Sequence, residues 1–311
     1  MKTGFCFIII FALTWFNLTL AASDLKVVVS IKPYHSLVSS VMQGVSEPEL
    51  LINGNISPHT YSLRPSDAVK LQKADLVFWG GENLEGFLVK PIISLTAGAK
   101  VISFDKTPGL ILHSYRSEKE WHKHNSEFES DQGHLKKDKE VSFSENDPHI
   151  WLDPFNAQKI TQNIVKILSE FDPENERTYK NNGEKTILKL VDLNRLLEAK
   201  MSSVSSKSYI VFHDAYQYFE KRYHLNPIAS VIMSSGHSIS VYWLKAIQKI
   251  IVKNKVFCIF TEPQYSPKFI HTVISGTAVN KGILDPIGIT LSPGPEMYFN
   301  LLNNLSNSIS T

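Results

Sequence analysis

Cysteine is almost missing from this chain: two residues in 311, Cys6 and Cys258, and no CxxC pair. A thiolate zinc cluster is therefore excluded, as is a disulfide framework. Charge of one sign is missing too. Lys and Arg number 32 against 30 Asp and Glu, a formal net charge of +2, which offers no basic face for nucleic acid. Gly and Pro, at 15 each, are too few for collagen or low-complexity disorder. No Walker loop, GxGxxG, GxSxG or HExxH occurs, so nucleotide binding, α/β-hydrolase chemistry and zincin chemistry have no local support. After residue 22 no apolar run reaches the length of a bilayer span. Histidine, by contrast, is plentiful at 11. Histidine without cysteine hints at metal chemistry outside any zinc-finger pattern.

Residues 1–22 carry one charge, Lys2, then an apolar run closed by Ala21 and Ala22. This reads as a cleaved secretory signal peptide, which places the mature chain outside the cytoplasm. Cys6 sits too early to be a lipid-anchor cysteine and leaves with the leader. Cys258 is then the one remaining thiol, so no internal disulfide can form.

The mature chain alternates strand and helix patterns. Short β-branched runs fall at 26–31, 50–52, 76–79 and 100–103, and again at 209–212, 227–231, 255–260 and 282–285. Helical stretches lie between them at 33–42, 66–73, 155–171, 215–223, 240–253, 267–280 and 295–306. Apolar strands separated by helices predict α/β lobes, each a mostly parallel sheet flanked by helices. The division is an N-terminal lobe over 23–172, a connecting helix over 173–204 and a C-terminal lobe over 205–311. The connector places Leu190, Leu193, Leu197 and Met201 on one stripe, and Gly183 weakens its first half by about 1 kcal/mol. Residues 113–147 hold His113, His122, His124 and His134 among nine acidic and six basic residues, and read as a mobile surface insert.

Three histidines have better contexts than the rest. His59 lies in SPHTYSLRPSD after a strand, His149 in DPHIWLDP before a helix, and His213 in VFHDAYQYFE directly after a strand. Ligands of open parallel sheets sit beyond the carboxyl ends of the strands, where His59, His213 and Asp285 in GILDPIG all fall. The intervals between these residues match no local metal motif, and a lone loop histidine is ordinarily a solvated one. Trp151, Tyr216 and Tyr218 read as core or wall residues. Ser66 reads as a helix cap supported by Asp67, and Asp153–Pro154 as the start of the next helix.

SPHTYSLRPSD, DPHIWLDP, FHDAYQYFE, FTEPQYSP and GILDPIG occur in the order seen in the metal-binding solute-binding proteins of bacterial ABC importers. Across the whole mature chain the sequence resembles the periplasmic zinc-binding subunit of high-affinity zinc transporters. That resemblance implies Zn2+ held by His59, His149 and His213 between the lobes, and delivery to an inner-membrane ABC permease with its ATPase. It implies no enzyme activity and a periplasmic monomer, while the connecting helix implies modest lobe movement on binding. Related manganese and iron binders carry a carboxylate where His213 stands, and imidazole nitrogen suits zinc better than manganese. For the fourth position a glutamate of some relatives is replaced by Pro58, which leaves Asp285 or a water, and Asp285 is the expected fourth ligand. Asp214, Glu262 and Arg64 are motif residues expected to orient ligands or pack the lobes. The insert histidines are candidates for weak zinc collection, while His35, His224, His237 and His271 keep ordinary roles. The resemblance also suggests a cysteine partner for Cys258 near the C-terminus, which this chain lacks. Mn2+ or Fe2+ cargo, a secreted zinc hydrolase with Glu262 as base, and a surface adhesin are the alternatives.

Overall fold

The computed structural model of the chain describes residues 25–116, 121, 146–232, 241–265 and 268–311. The leader expected over 1–22, the insert residues His122, His124 and His134, and His237 lie outside the described residues.

Strands β1 (Val27–Val29), β2 (Glu49–Leu50), β3 (Leu76–Trp79) and β4 (Lys100–Ser103) form one parallel sheet in the order β2-β1-β3-β4. Strands β5 (Ser208–His213), β6 (Asn226–Ile232), β7 (Cys258–Thr261) and β8 (Asn280–Ile283) form a second, in the order β6-β5-β7-β8. The two lobes thus share one topology although their sequences show no repeat. Parallel neighbours need crossover connections, and helices supply most of them. The helices are α1 (Lys32–Met42), α2 (Pro65–Lys73), α3 (Val89–Leu95), α4 (Pro154–Phe171), α5 (Glu176–Ser202), α6 (Gln217–Arg222), α7 (Val241–Lys253), α8 (Lys268–Ile274) and α9 (Met297–Ser310).

The connector α5 runs 27 residues after a 3-10 turn at Pro173–Asn175. Its expected stripe of Leu190, Leu193, Leu197 and Met201 is buried, and Tyr179, Gly183 and Thr186 extend it upstream. Gly183 marks a close approach. A Cβ there would stand 2.3 Å from Cγ2 of Val165 on α4, so glycine is what lets the two helices touch. One hydrophobic cluster runs through both lobes, from Val29 and Tyr34 through Trp151 and Leu190 to Val211 and Leu302. Smaller clusters cover the outer faces of the two sheets. The last helix returns to pack on α1 and α5. Arg222 of α6 adds a two-pronged bond to Asp153, at 2.8 and 2.6 Å, while Asp153 caps α4 through the Phe155 N–H at 2.8 Å. The lobes therefore share a core and are pinned across it.

Several elements depart from the sequence expectation. Helix α2 begins at Pro65 with Arg64 at its cap, so Ser66 is not the capping residue. Asp67 still supports the start, accepting the Arg64 N–H at 2.9 Å and the Tyr61 hydroxyl at 2.6 Å. The helix expected to reach residue 280 stops at Ile274, where Gly276 takes φ +75° and Thr277 N–H turns back to the Ile274 carbonyl at 2.9 Å. The last strand accordingly ends at Ile283, and Asp285 belongs to the turn beyond it. Helix α3, where Leu88, Ile92 and Leu95 recur at helical spacing, is an element beyond those expected. The segment 113–147 is folded at both feet: Ser114 bridges Asn146, and the Asp147 N–H donates to the His113 carbonyl at 2.8 Å. His113 packs its ring on Tyr218, centroids 4.9 Å apart, instead of belonging to a free loop. Among the described residues no helix is long and apolar enough to cross a membrane.

Candidate metal centre

Each of the three nominated histidines is delivered by a different local device. His59 sits in a 3-10 turn, Pro58–Thr60, opened by Ser57, whose hydroxyl accepts the His59 N–H at 3.4 Å. His149 follows Asp147 and Pro148, and one oxygen of Asp147 accepts both its backbone N–H at 3.0 Å and its ring Nδ1–H at 2.7 Å. Backbone and imidazole are locked by a single carboxylate. His213 is the last residue of β5. Period-two alternation puts it on the side of Tyr209 and Val211, which face the shared core, while Ile210 and Phe212 face outward. Its Nδ1–H donates to Oε1 of Glu262, just beyond β7, at 2.6 Å.

The two carboxylates fix the tautomers of His149 and His213, leaving each Nε2 with a free lone pair. Those lone pairs converge. His59 Nε2 and His149 Nε2 are 3.1 Å apart, and ligand nitrogens of all three histidines lie within 4.8 Å of one another. Two nitrogens on a tetrahedral zinc, each at about 2.0–2.1 Å, stand roughly 3.3 Å apart. His213 Nε2 is buried and has no hydrogen-bond partner. A buried acceptor left unmatched is costly, and a cation between the rings would satisfy it. The space they enclose is about 10 Å³, room for one water-sized occupant, closed by Pro58, Trp151, Tyr265, Pro286 and Ile287. Trp151 is fully buried and fixed by its indole N–H on the Pro286 carbonyl at 2.8 Å.

Electrostatics match a divalent cation. Burial, with His149 and His213 adding to it, holds His59 well below the usual imidazole range, so it is a neutral donor at neutral pH. Burial alone would lower His213 as well, but Glu262, with Asp214 and Asp147 behind it, outweighs burial and raises it. The carboxylates of Asp147 and Glu262 offset a dication's charge without touching it. Asp214 packs beneath with Arg116 2.7 Å away, and burial pushes its carboxyl up to about 7 against the pull of that guanidinium.

The fourth nominee does not join the group. Asp285 lies outside the converging set, and its carboxylate is spent on its own turn. Oδ1 accepts from Gly288 N–H at 2.9 Å, Ile287 N–H at 3.2 Å and Gln264 Nε2 at 3.0 Å, and Oδ2 accepts from Ile289 N–H at 2.6 Å. Arg64 is exposed above the Tyr61 ring, away from the pocket. Cys258 is a buried free thiol, which burial raises to about 11. Sequence reasoning passed over Asp147. Its signal was present in the Asp-Pro-His spacing, which lets a carboxylate reach the ring two residues on.

The family described as ZnuA, zinc-uptake complex component A periplasmic, matches residues 27–311. The high-affinity zinc uptake system protein ZnuA of Brucella abortus (strain 2308) is 39% identical over 308 residues, covering 94% of this chain and 92% of that protein. A crystal structure of ZnuA superimposes with a TM-score of 0.76 at 22% identity, over 93% of this chain and 98% of the other. The solute-binding protein FpvC of Pseudomonas aeruginosa, in complex with Mn2+, shares the fold with a TM-score of 0.74 at 20% identity, over 93% and 97%.

Proposed function

The chain belongs to the family of periplasmic A components of zinc-uptake complexes, and on that premise we propose how its three-histidine site serves the uptake of zinc. The protein is the zinc-binding solute-binding subunit of an ABC importer, a transport component and not an enzyme. His59, His149 and His213 are its zinc ligands, with a solvent molecule as the fourth. The observation that carries this assignment is the unpartnered, buried Nε2 of His213 facing the other two imidazoles. Neutral nitrogen donors in a tetrahedral cage favour Zn2+ over Mn2+, which prefers hard oxygen.

The chain works in the periplasm as a monomer after loss of residues 1–22. It hands zinc to a membrane permease driven by its ATPase. The shared core and the α5 connector support small adjustments of the pocket wall on loading, not a wide closure of the lobes. Competition titration of the mature protein with Zn2+ and Mn2+ against a chromophoric chelator tests the reading. Zinc is expected to bind far more tightly than manganese, and alanine at His59, His149 or His213 to abolish tight binding. Tighter manganese than zinc, or tight zinc in any one of the three variants, would overturn it.

A further inference from the structure

The wall opposite the histidines is a turn gripped from both sides. Its N–H groups at 287, 288 and 289 point to Asp285. Its carbonyls point the other way, to a lysine from the other lobe. The ammonium of Lys32, 7% exposed in the first turn of α1, donates to the carbonyls of Ile289 at 2.7 Å, Leu291 at 2.9 Å and Gly288 at 3.3 Å. Burial of so strongly hydrated a head is unfavourable, and three carbonyls offset that cost only while the turn keeps its shape. One peptide unit, the Gly288 carbonyl with the Ile289 N–H, links Lys32 directly to Asp285, the Ile289 and Leu291 carbonyls anchor the residues that follow it, and Gln264 closes on the carboxylate from the pocket side.

We propose that Lys32 is a positioning residue for metal selectivity: by holding the 288–291 carbonyls it keeps the adjoining N–H groups on Asp285 and so withholds that carboxylate from the bound ion. Pro286 and Ile287, the next two residues, line the metal pocket, so the carboxylate is held one step from the shell it would otherwise enter. Entry through both carboxylate oxygens, or beside the solvent ligand, would add hard, anionic oxygen to three imidazoles, which raises affinity for Mn2+ relative to Zn2+ and takes coordination above four. This inference rests on the three-histidine reading of the site.

The test is Lys32→Met in the full mature chain, read as the ratio of Mn2+ to Zn2+ affinity and as the visible spectrum of the Co2+ form. The ratio is expected to rise about tenfold, the scale on which groups behind metal ligands act. The Co2+ bands are expected to weaken as coordination rises above four. Lys32→Arg, which keeps donors for the carbonyls, should recover most of the original ratio. Adding Asp285→Asn to Lys32→Met should abolish the gain, because the entering group would be gone. A purely structural lysine would lower both affinities together and leave the ratio and spectrum unmoved; that result, or a gain that survives Asp285→Asn, overturns the proposal. If Lys32→Met fails to fold, Lys32→Gln, which is too short to span the three carbonyls, decides by the same readouts. An unmodified protein without zinc preference would instead overturn the three-histidine reading. A zinc-preferring protein with an unmoved ratio in the variants overturns only the role of Lys32.

Discussion

Glu262 Oε1 lies 2.6 Å from Nδ1 of His213, a buried contact that sets the direction in which the opposite ring nitrogen points. The carboxylate also makes that nitrogen a stronger donor to a cation. Glu262→Gln preserves shape and removes charge, so zinc affinity is expected to fall about tenfold, and Glu262→Ala about a hundredfold. Chelator competition measures both. Unchanged affinity in Glu262→Ala would reduce Glu262 to a packing residue.

Of the three ligands Asp147 hydrogen-bonds only His149, one of its oxygens taking both N–H groups of that residue. The consequence is a double-mutant cycle that does not add. Asp147→Ala should weaken zinc about tenfold or more in the native background and hardly at all once His149 is alanine. Equal losses in the two backgrounds would mean that Asp147 reaches the ion by another route, such as the long-range field of its charge.

Gly183 makes a prediction about stability alone. A methyl group there would stand 2.3 Å from Val165 Cγ2, inside the contact between α4 and α5. The better helix propensity of alanine, about 1 kcal/mol, is then outweighed by overpacking of about 1–3 kcal/mol. Gly183→Ala is expected to lower the urea midpoint of the metal-free protein, and Val165→Ala on top of it to recover part of the loss. A raised midpoint in the single variant would show that the helices can part at no cost.

The contrast between Gly183 and the rest of its helix explains what could be read in advance. Strands 76–79 and 100–103 match the expected bounds residue for residue: the first is an unbroken apolar run, LVFW, in the middle of the sheet, and the second, a half-buried edge strand, is two β-branched residues between Lys100 and Ser103. The stripe Leu190–Leu193–Leu197–Met201 followed from helical period alone. Propensity reads Gly183 as a weak point, because a close approach depends on a residue 18 positions away that no local pattern reveals. The histidines were legible through their motifs and Asp285 through its strand-end position. What hid the difference between them was the bonding of the turn: three N–H groups, Gln264 and, behind them, Lys32. Lys32 is 253 residues from Asp285 in the chain, and nothing in its surroundings marks it as more than a surface lysine at a helix start.

Glu85 carries a pH dependence separate from the metal. It is fully buried, with the Gly80 N–H on Oε2 at 2.7 Å, and burial with the nearby Asp105 raises its carboxyl from 4.5 to about 7. Between those values the folded chain keeps a proton that the unfolded chain has lost. Stability from this group is therefore full below pH 4.5 and declines as pH rises to about 7. The difference is about 3 kcal/mol at one unit of pKa per 1.4 kcal/mol. Glu85→Gln is neutral throughout, so the metal-free variant should gain stability over the original protein at pH 8 and match it at pH 5. Urea unfolding at the two values measures this. An equal difference at both would show that Glu85 titrates normally.

The feet of the 113–147 segment are part of the metal centre, which limits where that segment can be cut. Gln217 Nε2 donates to the Ser114 carbonyl at 3.1 Å and to Asp147 Oδ2 at 3.1 Å, and the Tyr218 hydroxyl joins the His113 N–H to the Asp147 carbonyl at 3.2 and 2.8 Å. Arg116 reaches Asp214, next to His213, at 2.7 Å. Both ends of the segment thus hold residues beside two of the three ligands. Excising residues 122–142 leaves these feet in place, and tight zinc binding is expected to survive even though His122, His124 and His134 are gone. Extending the cut through Arg116 and Asp147 should weaken zinc about tenfold or more, because the groups that orient the ligands go with it. Loss of tight binding in the shorter deletion would make the excised histidines ligands, and retention in the longer one would show that His149 needs no carboxylate behind it.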